Sequence, residues 1–508
     1  MALPRIIITG ASGFIGRHLL DGLKNDARIF GLARRSQLRC GAPFHDNITW
    51  YQVDIGEREA LATAFRAIRE SGGADIVIHL AAHYDFTGED NPEYWRTNVD
   101  GLRNVLEECV PLNLKRFLFA SSVAACGFPP PGEPLDESSP PDGEHIYAVT
   151  KRIGERMLAE YDDLISSCIV RFAALFSDWC EYPPLYVFLD TWLSDAWNSR
   201  ILGGKGRSAI PYLHVREVAP FFRRVLSRLD RITQRQVLIA SVNHTMDHRD
   251  LYDLANVNYR GRRVRPFLMP GPLCKLGVWG RDLIGRLLGN RPFERPWMVQ
   301  YIDARLEVDA STTQLLLDWE PRDRLDLYRR MPFMVEHLKT DPVEWHRKNQ
   351  AALKDVRLRS NLRIHRLLEK HHDEIRRRFH SRLFSAEGGR LFPSYQKVQR
   401  EILEWRFTVI LRHILNAVRT GERGVFTGYC RDLAAKRFED GFDVLEVCSV
   451  LELLNSVCVE VVQEDPESVE LETAIRDYLT MTVQFGCDQV METFEELGAD
   501  VASLEGIE

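Results

Sequence analysis

Tyr147 and Lys151 are the pair whose types and spacing most directly suggest acid–base chemistry. Four residues apart on a helix, their side chains share one face and lie one turn apart. An ammonium group beside a phenol favours the phenolate, which lowers the tyrosine pKa towards the working pH and lets this side chain exchange a proton. An incidental surface pair is the alternative interpretation, because tyrosine and lysine also fall at this spacing by chance.

A second chemical signal is the run Thr9-Gly10-Ala11-Ser12-Gly13-Phe14-Ile15-Gly16, which follows apolar residues directly. A β-branched run that breaks into glycines and resumes with helical spacing predicts a strand, a tight turn and a helix start. Glycines at 10, 13 and 16 let the backbone approach a pyrophosphate, and the helix N-terminus supplies N–H groups and partial positive charge. We therefore predict a dinucleotide site that includes Gly10, Gly13, Phe14, Ile15 and Gly16.

The spacing G-x-x-G-x-x-G, with the Tyr-x-x-x-Lys pair, resembles the extended short-chain dehydrogenase/reductase family (the NAD-dependent epimerase/dehydratase family) over residues 1–340. The resemblance implies that Tyr147 is the general acid/base and that Lys151 also binds the nicotinamide ribose. It further implies that Ser122, at the end of a strand upstream, hydrogen-bonds the substrate oxygen. Ser121 is the alternative for that role.

The resemblance also implies further cofactor contacts. Asp54, followed by Ile55, stands where the family's aspartate contacts the adenine amino group, and a helix N-cap is its alternative role. Asn98 matches the family's Asn-Val-x-Gly, in which the asparagine steadies neighbouring backbone. Small residues at the end of the fourth predicted strand let the backbone pass close to the cofactor. That strand end consists of Leu80, Ala81 and Ala82.

Cofactor preference depends on the end of the second predicted strand, where Ala33 occupies the place of a frequent aspartate and Arg34 and Arg35 follow. A carboxylate there would bind the ribose hydroxyls of NAD and repel a 2′-phosphate, whereas arginine matches phosphate bidentately. We therefore predict NADP, with NAD as the alternative cofactor. Solvated surface arginines are the other interpretation of this pair.

Departures from the family pattern bear on the substrate. The run Ser122-Val123-Ala124 replaces the Thr-Asp-Glu of the dehydratases, so water elimination is hard to assign. The family's Arg-Pro-x-x-x-Tyr-Gly-Pro is altered at 171–177 and Cys126 replaces a common tyrosine, which weakens the expectation of a sugar-nucleotide pocket. The apolar segments 182–197 and 267–288 suit a hydrophobic alcohol or ketone. Ordinary packing and peripheral membrane contact are the alternatives.

Bulk composition narrows the function classes. A chain of 508 residues is expected to form two or more domains, and 45% hydrophobic with 27% charged residues is typical of globular proteins. The net charge of −7 argues against a nucleic-acid partner. Ten cysteines without a Cys-x-x-Cys pair indicate reduced thiols. No signal-peptide pattern and no run of about 18 apolar residues occurs, so we expect a cytoplasmic protein without a membrane span, acting on a small-molecule substrate.

In the first part of the chain, short β-rich runs alternate with helical patterns, which predicts a doubly wound parallel sheet of the Rossmann type in the α/β class. The predicted strands lie at 5–9, 28–34, 48–54, 75–82, 116–122, 168–175 and 236–241. Proline and glycine make 128–143 a loop. From about residue 179 the resemblance implies a small substrate lobe over the strand ends.

The rest of the chain has a different pattern. Residues 341–355 are predicted as a linker, and 356–508 as an all-α helical bundle because apolar residues recur at helical spacing. Segment 356–382 is basic and 464–508 mostly acidic, which favours a homo-oligomer or a protein partner. The run 436–447 is similar to helical sensor domains of bacterial stressosome proteins and some histidine kinases. No metal site is predicted, because the histidines lack ligand partners at ligand spacing: His365, His371, His372, His380 and His413.

Three functions follow from these patterns. The first is an oxidoreductase that transfers hydride between NADP(H) and a secondary alcohol or ketone. The second is a nucleotide-sugar epimerase that retains NAD. The third is a dinucleotide-binding redox sensor that signals through the helical domain. The Ser122, Tyr147 and Lys151 set argues against a purely sensory role, because a sensor needs no proton donor.

Overall fold

Strand β1 (Arg5–Thr9) explains why this chain builds a sheet covered on both faces. Ile6 and Ile8 belong to one apolar core and Ile7 to another, because successive side chains of a strand point to opposite faces. All three are completely buried. Burial on both sides is typical of a parallel sheet between two helical layers. The computed structural model describes residues 3–287, 291–356, 360–468 and 471–505, and the chain forms two units, Met1–Arg357 and Leu358–Glu508.

Six further strands complete the sheet of the first unit. They are β2 (Arg28–Ala33), β3 (Ile48–Gln52), β4 (Ile76–His79), β5 (Arg116–Ser122), β6 (Ser167–Phe172) and β7 (Gln236–Ala240). All seven pair in parallel, in the order β7-β6-β5-β4-β1-β2-β3. The chain order reverses between β1 and β4, the point where doubly wound sheets bind ligands. The predicted Rossmann-type fold is confirmed.

Helices cover both faces of this sheet and continue into a smaller lobe. Their bounds are Phe14–Leu23, Gln37–Cys40, Arg58–Glu70, Pro92–Trp95, Gly101–Cys109, Ile146–Met157, Pro183–Trp192, Val218–Ser227, His248–Arg260, Gly271–Leu287, Ser311–Leu317, Leu327–Thr340 and Pro342–Val356. The lobe has its own apolar core, to which Leu185, Leu189 and Trp192 contribute.

The predicted linker at 341–355 is instead helical. Pro342–Val356 is a helix, and the side chain of Trp345 is completely buried in the lobe core. Asn349 donates a hydrogen bond to the carbonyl of Trp179 at 2.7 Å, which ties this helix to the lobe. A buried tryptophan requires a packed surface around it, so this segment belongs to the first unit.

The second unit is helical, as predicted. Its helices are Ser360–Lys370, His372–Leu383, Gly388–Leu391, Arg400–Thr420, Gly424–Glu439, Val444–Glu464, Glu472–Ile475 and Met481–Glu505. The basic and acidic segments pair within the chain: Arg378 bonds Glu464 at 2.7 Å, and Lys370 bonds Asp465 at 2.7 Å. These pairs stabilise neighbouring helices within the chain, and the homo-oligomer or protein partner stays a prediction.

The run 436–447, compared above with sensor domains, has structural contacts. The Arg437 guanidinium is buried and lies 4.2 Å from the ring centroid of Phe442. Buried Glu446 accepts a hydrogen bond from the backbone N–H of Ser394 at 2.8 Å. These contacts explain why an arginine and a glutamate stand at these positions, without any need for a bound ligand. The sensor resemblance stays a prediction. Across the described residues, no helix combines the length and apolar character needed to cross a membrane.

Candidate active site

The glycine turn after β1 packs against the end of β4 with no space for side chains. Gly10 has φ +68°, and a Cβ there would lie 2.7 Å from the backbone nitrogen of Ala81 and 2.8 Å from the carbonyl carbon of Leu80. A Cβ on Gly16 would lie 2.5 Å from the carbonyl oxygen of Gly10. Only glycine therefore permits this close approach, which brings the turn to the switch point of the sheet.

The helix that follows the turn is suited to an anion. Phe14–Leu23 begins after Gly13, and no side chain caps its N-terminus. Its first N–H groups, at Phe14, Ile15 and Gly16, lack carbonyl partners within the helix, and the helix dipole adds positive charge. The turn and this helix start thus fit the pyrophosphate of a dinucleotide.

The structure places other predicted cofactor residues around this turn. Arg35 donates from Nη2 to the carbonyl of Ser12 at 2.7 Å, so its guanidinium lies against the glycine turn. Arg34 lies 3.8 Å from the carboxylate of Glu93. Both arginines are therefore at the cofactor end of the sheet, and both already have protein partners.

Asp54 and Ile55 follow β3 and are buried. The Asp54 carboxylate accepts a hydrogen bond from the N–H of Gly56 at 2.9 Å, so it supports the turn before helix Arg58–Glu70. The carbonyl of Ile55 accepts one from the Asn104 side chain at 3.0 Å. The N-cap of that helix is Glu57, so the N-cap alternative for Asp54 is wrong, and adenine contact stays a prediction. Ala82, the last residue of the segment whose backbone is predicted to pass close to the cofactor, is exposed.

Lys151 joins the helix Ile146–Met157 to the sheet. Its Nζ donates to the carbonyl of Ala120 in β5 at 2.6 Å and lies 5.7 Å from the ring centroid of Tyr147. Burial lowers the pKa of Lys151 to about 8. Ala120 lies two residues before Ser122 in β5. The lysine therefore holds the helix that carries Tyr147 at the carboxyl end of this strand.

The expected shift of the Tyr147 pKa is wrong for this structure. Burial raises the pKa of Tyr147, because a phenolate loses solvation in this cleft. The Lys151 ammonium is directed to the Ala120 carbonyl and does not offset that cost. Tyr147 is therefore a protonated phenol at neutral pH, ready to donate a proton.

The two candidate serines have different roles. Ser121 is buried and donates a 2.6 Å hydrogen bond to the carboxylate of Glu155, which in turn binds Arg171. The Ser122 hydroxyl is partly exposed, accepts from the N–H of Ala124 at 3.2 Å and makes only a 3.5 Å contact with the Phe172 carbonyl. Ser122 therefore has the hydroxyl that can turn to a substrate, whereas the Ser121 hydroxyl is engaged.

Asn98 supports both sides of the site. It lies in a π-helical segment, Arg96–Asp100, a distortion that often occurs at functional sites. Its Oδ1 accepts from the N–H of His83 at 2.6 Å, and its Nδ2 donates to the Thr150 hydroxyl at 3.0 Å. The asparagine thus ties the segment after β4 to the helix that carries Tyr147 and Lys151.

An aromatic wall that the sequence pattern did not predict lines the cleft at Tyr147. The Tyr84 ring stacks on Tyr147 with centroids 4.1 Å apart, and Phe86 stacks on Tyr84 at 3.9 Å. On the other side, His145 lies 6.2 Å from Tyr147 and 5.7 Å from Trp297. The one signal was the aromatic pair in the loop after β4, because loop aromatics without periodicity often line a site.

A buried polar cluster holds the loop that carries this wall. The Asp85 carboxylate accepts from the Tyr94 hydroxyl at 2.8 Å, the Asn91 amide at 2.7 Å and the Thr87 hydroxyl at 2.8 Å. Phe86, next to it, has φ +54°, a conformation that costs energy for an aromatic residue. The cluster therefore fixes Phe86 and Tyr84 against Tyr147.

The two predicted apolar segments have different environments. In 182–197, Tyr182 contacts Phe86 at 6.1 Å, while most of helix Pro183–Trp192 packs in the lobe core. Segment 267–288 keeps large apolar side chains on the surface, and Leu288 lies outside the described residues. Among the residues that the structure describes, no three possible ligand groups lie close enough to hold a metal ion.

Comparisons with known proteins agree with this geometry. The family model "NAD dependent epimerase/dehydratase family" matches residues 6–240. The chain is 31% identical over 362 residues, 66% of this chain and 97% of the other, to N-acetyl-alpha-D-glucosaminyl-diphospho-ditrans,octacis-undecaprenol 4-epimerase of Escherichia coli O157:H7. It is 27% identical over 166 residues, 30% of this chain, to 3 beta-hydroxysteroid dehydrogenase type 7 of Rattus norvegicus, and it covers 47% of that protein.

The chain spans about half the length of several curated relatives that it matches. A solved UDP-glucose 4-epimerase from Thermotoga maritima has a TM-score of 0.51 at 19% identity, over 66% of this chain and 98% of that one, which shows a shared fold. The matched relatives are epimerases and dehydrogenases, so the family is one of enzymes. With near-complete coverage of a relative above 30% identity, this chain belongs to the NAD-dependent epimerase/dehydratase family.

Proposed function

We propose that this chain transfers hydride between NADP(H) and a secondary alcohol or ketone that carries an apolar group. The observation that carries the proposal is the 2.6 Å hydrogen bond from Lys151 to the Ala120 carbonyl. It ties the helix that carries Tyr147 to β5, which ends at Ser122 on the same sheet edge as the glycine turn. This supports a reaction that uses a proton donor, a hydroxyl and a dinucleotide together.

Each residue has a distinct role in this reaction. A dinucleotide held by the glycine turn would, when bound, supply or accept hydride at the substrate carbon. In the reduction direction, Tyr147 donates its phenolic proton to the ketone oxygen as the carbonyl carbon gains hydride, and an alcohol forms. Ser122 donates a hydrogen bond to the same oxygen and orients it. Lys151 fixes the helix that carries Tyr147 by its bond to the Ala120 carbonyl, and the reverse sequence oxidises the alcohol.

The apolar character of the substrate is inferred from the wall beside Tyr147. Tyr84, Phe86 and Trp297 offer ring faces and few charges, which suits a hydrocarbon more than a phosphate. Two matched relatives are named for substrates with apolar parts, a steroid and an undecaprenol diphosphate. We therefore infer that the reacting carbon belongs to a molecule with a large apolar portion.

Epimerisation is the second candidate, favoured by the match of 362 residues to a lipid-linked sugar 4-epimerase. Oxidation and re-reduction at one carbon would use the same three residues and return the hydride to the other face. An epimerase keeps its cofactor through the cycle, so purified protein would retain tightly bound NAD. Exchangeable NADP and net conversion of alcohol to ketone would instead support the oxidoreductase.

Replacement of Tyr147 by Phe tests the proton role. We expect turnover to fall by about 10²–10⁴-fold while cofactor binding persists, because only the hydroxyl is removed. Tyr84→Phe is the matched control, since it removes a hydroxyl from the stacked ring and should keep most activity. The assay should offer a hydroxysteroid, a polyprenyl diphosphate sugar and UDP-glucose. Full turnover by Tyr147→Phe on any of them would rule out this mechanism.

The NADP preference rests on Arg34 and Arg35. Arg35→Ala should weaken NADP binding by about 10–100-fold more than NAD binding, because a guanidinium contact to a 2′-phosphate contributes about 1.5–3 kcal/mol. Cofactor titration by fluorescence measures both affinities. Arg39→Ala, an exposed arginine nearby, should leave both affinities unchanged. Equal losses for NAD and NADP in Arg35→Ala would assign this arginine to holding the glycine turn alone.

A further inference from the structure

The helix Gly271–Leu287 exposes its large apolar side chains instead of burying them. Leu273, Leu276, Trp279, Leu283 and Ile284 are between 55% and 71% exposed. They are separated by three or four residues along most of the helix, so they lie on one side. A surface helix usually buries such a stripe against the core, so this stripe has no covering element among the described residues.

The opposite side of the helix attaches to the lobe. Cys274 is buried, with its Sγ 3.2 Å from the carbonyl of Met269. Asp282 is 3% exposed and accepts a 2.9 Å hydrogen bond from Arg291 and a 3.0 Å one from Arg286. The Cys274 contact and the ion pairs of Asp282 thus fix the helix in its rotation about its own axis, and the apolar stripe points away from the protein.

The exposed apolar surface continues beyond the helix. Phe267 is 61% exposed and opens the strand Phe267–Met269, whose partner strand is Ile201–Gly203. Trp197, four residues before that partner strand, is 82% exposed. Monomeric proteins rarely expose so many large apolar side chains in neighbouring elements unless the surface binds something.

Basic residues surround this surface in a chain of net charge −7. Residues 260–287 contain seven basic residues and one acidic residue, and that acid is the buried Asp282. Arg262, Arg263 and Arg265 are exposed just before Phe267, and Lys275 is exposed on the helix. None of these four cations lies within 4 Å of a carboxylate in the described parts of the chain. Two carboxylates also lie at this edge, Glu294 against Arg281 and Asp195 against Arg260, so the rim is mixed in sign but has an excess of positive charge.

We propose that helix Gly271–Leu287 and Phe267 lie on the surface of a lipid bilayer with anionic headgroups. Leucines and a tryptophan would enter the boundary between headgroups and acyl chains, and the cations would meet the headgroup phosphates. The helix is an interfacial element by its pattern: apolar outward, basic at the edges, too short to span. A protein partner is less well matched, because the unpaired charges of the rim, Arg262, Arg263, Arg265 and Lys275, are all positive among the described residues.

The position of the helix relates this surface to the cleft. Asp282 binds Arg291, and the segment that follows leads to Trp297, which stacks on His145 beside Tyr147. If the proposed function is correct, an apolar substrate could reach the cleft from the bilayer. The membrane contact itself does not depend on turnover.

Vesicle flotation with the full chain tests the proposal. Wild-type protein should float with phosphatidylglycerol/phosphatidylcholine vesicles and much less with phosphatidylcholine alone, and added salt should weaken the binding. The variant Leu276→Ser/Trp279→Ser/Leu283→Ser should bind at least about tenfold less, because three inserted apolar side chains are lost. Leu38→Ser/Leu315→Ser, at residues 78% and 82% exposed elsewhere, is the matched control and should bind like wild type.

Further measurements separate the outcomes. Trp279→Phe should bind normally but show less quenching by brominated lipids, because the tryptophan that enters the bilayer is absent. Tyr147→Phe should bind like wild type, so failure of the proposed reaction would leave this result intact. Three results would overturn the proposal: no binding of wild type to anionic vesicles, unchanged binding of the triple variant, or loss of a lipid-free oligomer in that variant by light scattering. The last would assign the surface to contact between copies.

Discussion

The ion pair Glu155–Arg171 near the active site and the pair Arg382–Glu460 of the helical unit share a geometry but not an environment. Each is bidentate, with bonds of 3.1 and 2.8 Å in the first and 2.9 and 2.6 Å in the second. The first pair has side chains 2% and 5% exposed, the second 44% and 41%. Because water screens only the second pair, the two must contribute very differently to stability.

The buried pair has additional partners that explain its place. Glu155 also accepts from the Ser121 hydroxyl, and Arg171 donates to the carbonyl of Ser139 at 2.7 Å. These bonds connect β5, β6, the helix with Tyr147 and the loop beyond β5. The active-site end of the sheet is thus fixed by buried charges, whereas exposed charges in the helical unit only favour one packing of helices.

Of the two pairs, the buried one should show the larger loss of stability when one partner is removed, and Glu155 is the partner to replace. Glu155→Ala should destabilise the unit Met1–Arg357 by about 3–5 kcal/mol, because Arg171 remains buried without its partner. Urea unfolding followed by tryptophan fluorescence reports this unit, which holds nine of the ten tryptophans. Glu155→Met/Arg171→Met, which removes both charges, should lose less. A loss under about 1 kcal/mol in Glu155→Ala would show that water solvates the pair.

Lys151 extends the comparison to a buried cation that, unlike Arg171, has no carboxylate bonded to it among the described residues. Its pKa of about 8, against an ordinary value of 10.5, means that the unfolded chain binds more protons between these pH values. Wild-type stability should therefore rise as pH increases through this window. Below pH 8 the full cost of the buried charge is present.

Lys151→Met should accordingly stabilise the first unit by about 1–3 kcal/mol at pH 7, although activity is lost. The gain should shrink as pH rises from about 8 and vanish above the ordinary lysine pKa. Urea unfolding at several pH values measures the gain, and turnover with NADP(H) measures the loss. If the variant is less stable than wild type at pH 7, the hydrogen bond to Ala120 outweighs the cost of burial.

Local signals made the fold and part of the site predictable. The alternation of Ile6, Ile7 and Ile8 predicts a strand between two cores, and glycine spacing predicts the turn at Gly10, since both depend on neighbouring residues alone. The Tyr147–Lys151 spacing likewise predicts a shared helix face. All of these patterns act within about one turn or one strand.

Features that depend on residues far apart in the chain were not predictable. Tyr84 stacks on Tyr147 and Trp297 stacks on the nearby His145, although Tyr84 and Trp297 are more than 200 residues apart and no periodicity marks them. The direction of the Tyr147 pKa depends on burial, which residue spacing does not report. The linker prediction failed for the same reason, because the burial of Trp345 depends on a lobe built from distant helices.

Arg382 gives the smallest expected effect and the last test of the comparison. Arg382→Ala should destabilise the helical unit by less than about 1 kcal/mol, because both side chains of its pair with Glu460 are near half exposed. Hydrogen exchange of the helices His372–Leu383 and Val444–Glu464 during urea unfolding follows this unit, whereas circular dichroism would also report the helices of the first unit. The difference from wild type should disappear in about 1 M salt, where the screening length is about 3 Å. A loss as large as that of Glu155→Ala, unaffected by salt, would show that burial does not distinguish the two pairs.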